Sequence, residues 1–193
     1  MPARGGAPCC GLLESARATD VSGTITTTTW TKANSPYRVT GTITVPYDNT
    51  LTIEPGVDVL FDSAVQVVVN GALNAVGTPQ DSIRFLKSGE NYWGGMTFTG
   101  RGNLLALVRI TGGLKGRADG GGLSAFSGFT DIRNSVISGN RAANGGGVAG
   151  WSTTLRMTDC TISGNEAGAK GGGVYGTVKM LRCTISDNSA YQG

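Results

Sequence analysis

The sequence contains no histidine, and both charged residues (15%) and aromatic residues (7%) are sparse. Each shortage excludes something. Without histidine the chain lacks the commonest general base and metal ligand near neutral pH. Its 16 Lys and Arg are scattered along 193 residues, and the formal net charge is only +3. There is thus no basic stripe of the kind that nucleic acid or anionic membrane selects. No apolar run approaches the ~18 residues of a membrane-spanning helix. Met1–Asp20 carries arginines but no apolar stretch before a small-residue cleavage site, so no export signal is legible. Cysteine is scarce too. Cys9 and Cys10 are neighbours in a Gly/Ala/Pro-rich leader and lack the CxxC spacing of zinc sites.

Glycine, in contrast, is abundant. There are 32 glycines beside 39% hydrophobic residues, enough apolar material for a core, so the glycines read as punctuation. They fall in register. Gly120-Gly121-Gly122-Leu123, Gly145-Gly146-Gly147-Val148 and Gly171-Gly172-Gly173-Val174 begin 25 and 26 residues apart. A second marker keeps step: Ser135-Val136-Ile137-Ser138-Gly139-Asn140, Cys160-Thr161-Ile162-Ser163-Gly164-Asn165 and Cys183-Thr184-Ile185-Ser186-Asp187-Asn188. Two markers in register identify a repeat.

Within each unit short β-branched segments are bounded by Gly or Asn, and no window sustains apolar residues at i, i+3, i+4, i+7. The period therefore predicts three short strands per coil, stacked at about 4.8 Å. Ile137, Ile162 and Ile185 should form an inward ladder, with Ser135, Cys160 and Cys183 two residues earlier on the same face. Asn140, Asn165 and Asn188 should sit at a bend in left-handed backbone, their amides stacked along the axis. The glycine triplets read as turn and close-packing residues. No Gly-Lys-Ser/Thr follows them, and Lys170 stands in the column of Asp119 and Asn144 where calcium would need an acid.

The fold class expected is all-β, a right-handed parallel β-helix of about six coils. Residues 1–22 read as a disordered leader and 23–193 as one domain: cap strands over 23–50, irregular coils over 51–115, and regular repeats over 116–193. The spacing from Asn140 to Gly145 recurs from Asn188 to Gly193, so the chain is expected to stop within a repeat. It is accordingly expected to be truncated at its C-terminus, with end-to-end self-association or fraying from Lys179 onward.

Thr52-Ile53-Glu54-Pro55-Gly56-Val57, Asn70-Gly71-Ala72-Leu73, Gly77-Thr78 and Tyr92-Trp93-Gly94-Gly95-Met96 resemble the opening coils of bacterial right-handed β-helix proteins. The later Ile-x-x-Asn and Gly-Gly-Gly-Val units are similar to the repeats of polymorphic outer-membrane and adhesin-like surface proteins, within the pectate-lyase-like fold. The resemblance covers roughly residues 40 to 193 and implies a secreted or cell-surface bacterial protein.

Such folds also carry polysaccharide lyases and hydrolases, so the acids need inspection. Asp131, Arg156 and Lys179 share one column, and Asn134, Asp159 and Arg182 another. The expected pairs, Asp131 with Arg156 and Asp159 with Arg182, read as charge complementarity between coils. Asp159 beside Arg182 is the one faint catalytic candidate, and no catalytic residue, cofactor or metal is assigned. The threonines of the leading strands could form an ice-binding array, but only Thr161 and Thr184 stack in the repeats, so β-propensity explains them. Cys160 and Cys183 should be free thiols one coil apart, because parallel neighbours give poor disulfide geometry. The expected function is a non-enzymatic surface module with a repetitive face for polysaccharide or cell-surface protein. The alternative is a fragment of a carbohydrate-active enzyme, a polysaccharide lyase or hydrolase, with its active coils beyond residue 193.

Overall fold

The computed structural model describes residues 17–151 and 154–192. The leader from Met1 to Ala16, with Cys9 and Cys10, and Gly193 lie outside the described residues. The chain is a parallel β-helix: all assigned strand pairings are parallel, and among the described residues the sole helical element is a 3-10 turn at Lys32–Asn34.

Three faces surround the core. The first consists of seven strands, Thr28–Trp30, Thr50–Ile53, Ala72–Val76, Asn103–Ala106, Phe129–Arg133, Thr154–Thr158 and Lys179–Leu181, which mark about six turns. The second runs through Asp58–Phe61, Ile83–Lys87, Val108–Thr111, Val136–Ser138, Thr161–Ser163 and Thr184–Ser186. The third runs through Val67–Val69, Met96–Phe98, Leu123–Ala125, Val148–Gly150 and Val174–Gly176. The long strand Tyr37–Val45 opens both of the latter, pairing with Val59–Phe61 through its first half and with Val67–Val69 through its second. In the later coils a narrow fourth strip, Leu114–Asp119, Arg141–Asn144, Glu166–Lys170 and Ser189–Ala190, turns the corner between faces two and three.

Alternation explains the core. Along Asp58–Phe61 the second and fourth residues, Val59 and Phe61, are buried, and along Val67–Val69 the outer two are. Ile137 and Ile162 pair in register and have no exposed surface, as the ladder requires, whereas Ile185, on the last described strand of that sheet, is 49% exposed. Ser135 and Cys160 are buried and Cys183 is half-buried.

Two expectations are corrected. Strand structure begins at Thr19, before the expected leader boundary, because Thr19–Thr24 pairs with Tyr37–Val45. The leading strand Thr28–Trp30 forms an in-register first rung on Thr50–Ile53, with Trp30 stacked on Tyr37 at 4.7 Å. At the bends the left-handed residue is the one before each asparagine, Gly139, Gly164 and Asp187, with φ of 64°, 61° and 54°. That places each asparagine inward. The Asn165 carboxamide oxygen accepts the Asn140 backbone N–H and amide, and its own amide donates to Ile137 O and Asn188 Oδ1, all near 3 Å.

Candidate functional site

A cleft opens where the fourth strip begins. Leu114 and Lys115 pair with Arg141 and Ala142, and pairing resumes at Asp119 with Asn144. Three residues, Gly116 to Ala118, thus oppose the single Ala143, and the surplus bulges outward over the third face. The cavity beneath holds about 460 Å³ and is lined by Gln66, Thr97, Lys115, Arg117, Asp119 and Phe126, among others.

Lys115 fastens this overhang. It is buried (8% exposed), and its ammonium donates to Met96 O at 2.8 Å, Thr97 Oγ1 at 2.7 Å and Ser124 Oγ at 2.5 Å. Burial pulls its pKa down to about 8, with Asp119 pulling the other way. A lysine beside a serine invites comparison with Ser–Lys nucleophilic catalysis, which needs a reachable hydroxyl and an amine free to take its proton. Ser124 has no exposed surface, and all three Lys115 N–H groups are occupied. The pair therefore holds the strip in place.

Aromatic side chains continue the cleft along the axis. The Phe126 N–H donates to Phe98 O and the Trp151 N–H to Ala125 O, which sets the two rings on successive coils. Phe126 is 44% and Trp151 37% exposed. Trp151 meets Tyr175 edge to face at 5.6 Å, and Tyr175 extends the outward row of Ser124 and Ala149. Opposite this ridge runs the register column Asp119, Asn144 and Lys170, with the Asn144 amide donating to Asp119 at 2.8 Å. Sequence reading missed Lys115 and the ridge. Phe126 and Trp151 share one repeat position that Thr177 breaks in the next unit, Tyr175 stands at another, and the bulge breaks the spacing on which alignment relied.

The acids are placed as follows. Asp159 and Arg182 form the expected bidentate pair at 2.6 and 2.7 Å, which holds the Asp159 carboxyl below its ordinary range. Asp131 does face Arg156 in register, but it pairs instead with Arg133, two residues along the same strand, at 2.5 and 3.1 Å. Arg156 lies over the Phe129 ring at 5.9 Å. The Phe129 face offers Arg156 a cation–π partner. Asp131 is buried with Oδ1 unpartnered. Among the described residues no three His, Cys, Asp or Glu side chains converge as a metal site would need, and no helix is long and apolar enough to cross a membrane. Cys160 and Cys183 are free thiols, as expected, and burial raises Cys160 to about 11. Comparison with known proteins finds no matching family model, no matching curated protein and no matching solved structure.

Proposed function

We propose that this chain is a non-enzymatic, adhesin-like β-helix module of a secreted or cell-surface protein, and that it binds glycan along the third face. The observation that carries the reading is the ridge of Phe126, Trp151 and Tyr175 beside the polar cleft under the Leu114–Asp119 overhang. Sugar rings offer an apolar C–H face to aromatic side chains and hydroxyls to amide and charged groups, and the ridge and column supply one of each. Both run from coil to coil along the axis, which suits an extended ligand. The resemblance of the repeats to surface adhesins supports the location.

Binding of the intact chain to an immobilised panel of surface polysaccharides tests the reading. Specific retention is expected, and the double variant Phe126→Ala/Trp151→Ala should weaken it roughly tenfold or more with the circular dichroism unchanged. Retention of cell-surface proteins but no glycan would replace the ligand class. Release of reducing or unsaturated sugar, lost on Asp159→Ala, would overturn the non-enzymatic reading.

A further inference from the structure

Two inward columns change chemistry together in the last two coils. In the first face Leu105, Ile132, Met157 and Met180 are register neighbours, so an aliphatic column becomes thioether. Across the adjoining bend Ser135, Cys160 and Cys183 follow one another, so a hydroxyl column becomes thiol. The result is two Met-x-x-Cys units, Met157 to Cys160 and Met180 to Cys183, stacked on successive coils around one inner corner. Outside that corner the Asp159–Arg182 pair bridges the same two coils.

The two thiols adopt one geometry. Cys160 Sγ lies 3.3 Å from Thr158 O and 3.5 Å from Ile132 O, and Cys183 Sγ lies 3.5 Å from both Leu181 O and Met157 O. Each thus contacts the carbonyl two residues back and, on the preceding coil, the carbonyl one residue before that residue's register partner. Equivalent rotamers on stacked coils separate the sulfurs by about one strand spacing, ~4.8 Å. A disulfide needs about 2.04 Å, far less than the stacked backbone offers. Two metal–sulfur bonds of about 2.3 Å laid end to end span about 4.6 Å, which the coils offer without moving. We propose that the stacked Met-x-x-Cys units bind one soft monovalent ion of the Cu(I) class between successive coils.

Charge and softness choose the ion. Thiolate and thioether donors select Cu(I), whereas hard ions want oxygen and structural zinc wants four ligands in a tetrahedron. One thiolate with a monovalent ion leaves a neutral set in the buried corner, and the second thiol and the thioethers are neutral soft donors. On loading, one S–H bond breaks, the sulfur lone pair forms the S–Cu bond and the proton leaves to solvent; no electron is transferred. Met180 (42% exposed) and half-buried Cys183 form the route in, while Met157 and Cys160 close the site from behind.

The test uses the full chain carrying Cys9→Ser and Cys10→Ser, so that the leader thiols cannot contribute, titrated with Cu(I) against a chromogenic chelator without oxygen. Expected are one ion and one released proton per chain, an ultraviolet thiolate-to-copper band, and protection of Cys183 from alkylation. Adding Cys160→Ser and Cys183→Ser should abolish uptake; Ser135 shows that the column accepts serine. Met180→Ile, a side chain its column already holds at Ile132, should weaken binding roughly tenfold and reads the same site should the serine variant fail to fold. The proposal is overturned by no uptake in the Cys9→Ser/Cys10→Ser chain, by uptake that survives loss of Cys160 and Cys183, or by uptake only after unfolding.

Discussion

The early and late coils of this solenoid solve the same packing problem differently. Before residue 100 the corners are filled by volume: Trp93 stacks on Phe61 at 4.0 Å, Phe85 stands beside it, and the indole N–H finds Thr111 O at 2.7 Å. After residue 110 the interior narrows to Leu, Ile, Val, Ala, Met and Cys, and coils are aligned by hydrogen bonds through Asn140, Asn165 and Asn188 and by glycine contacts too close for any side chain. A Cβ on Gly146 would lie 2.4 Å from both Glu166 O and Gly172 O. Volume tolerates variable loops, since a large ring fills whatever space remains, whereas a hydrogen-bonded ladder demands the same spacing on every turn. The irregular early sequence and the regular late one follow from that difference.

Breaking each device should injure its own region, because coils contact only their neighbours. Trp93→Ala should have the largest effect, about 3 to 5 kcal/mol in denaturant unfolding, from lost burial plus the cavity left behind. Hydrogen exchange should quicken around Phe61 and Ile83 while amides near Ile162 keep their protection. Asn165→Ala should cost about 2 to 4 kcal/mol, since it strands the buried Asn140 N–H and Ile137 carbonyl, and should loosen the late coils alone. Uniform loss of protection in either variant would show that the two regions unfold as one.

Lys115 sits where the two regimes meet, and its effect should depend on pH. Its folded pKa, about 8, is below the ordinary 10.5, so between these values the unfolded chain binds the extra proton and stability rises with pH. Below about 8 both states are protonated and the burial cost is fully present. Lys115→Met should remove that cost and flatten the rise, a difference of roughly 1 to 3 kcal/mol between pH 7 and 10.5. Parallel stability–pH curves for the two proteins would disprove it. The smallest effect belongs to Asp159→Asn. The pair with Arg182 is solvent-exposed, so the loss should be near the detection limit and vanish in high salt. Because the folded Asp159 pKa is lowered, its contribution is present above the ordinary aspartate range and is lost as pH falls through the folded value.

Much of this was legible in the sequence, unevenly. The columns of Ile137 and Ile162, Cys160 and Cys183, and Asp119, Asn144 and Lys170 could be written down from spacing because each repeat preserves them. The Asp131 partner could not: register placed Arg156 opposite, but the choice between two arginines depends on side-chain reach and on the Phe129 ring. The asparagine bends were misassigned by one residue, since Gly139, Gly164 and Asp187 can take positive φ and spacing alone does not say which neighbour does. Lys115 left no trace, because its burial comes from a bulge whose extra residues resemble an ordinary Gly-containing turn.

The register pairs also set how length is stored. Ile137 faces Ile162 and Ile162 faces Ile185, so 25 and then 23 residues of chain advance the axis by one rung. Drawn straight, that much chain reaches roughly 80 Å, against an axial rise of about 4.8 Å. A tether attached to this protein would therefore gain most of that span each time one coil peeled away. Resistance along the axis and slack once a coil is lost are thus two properties of one winding.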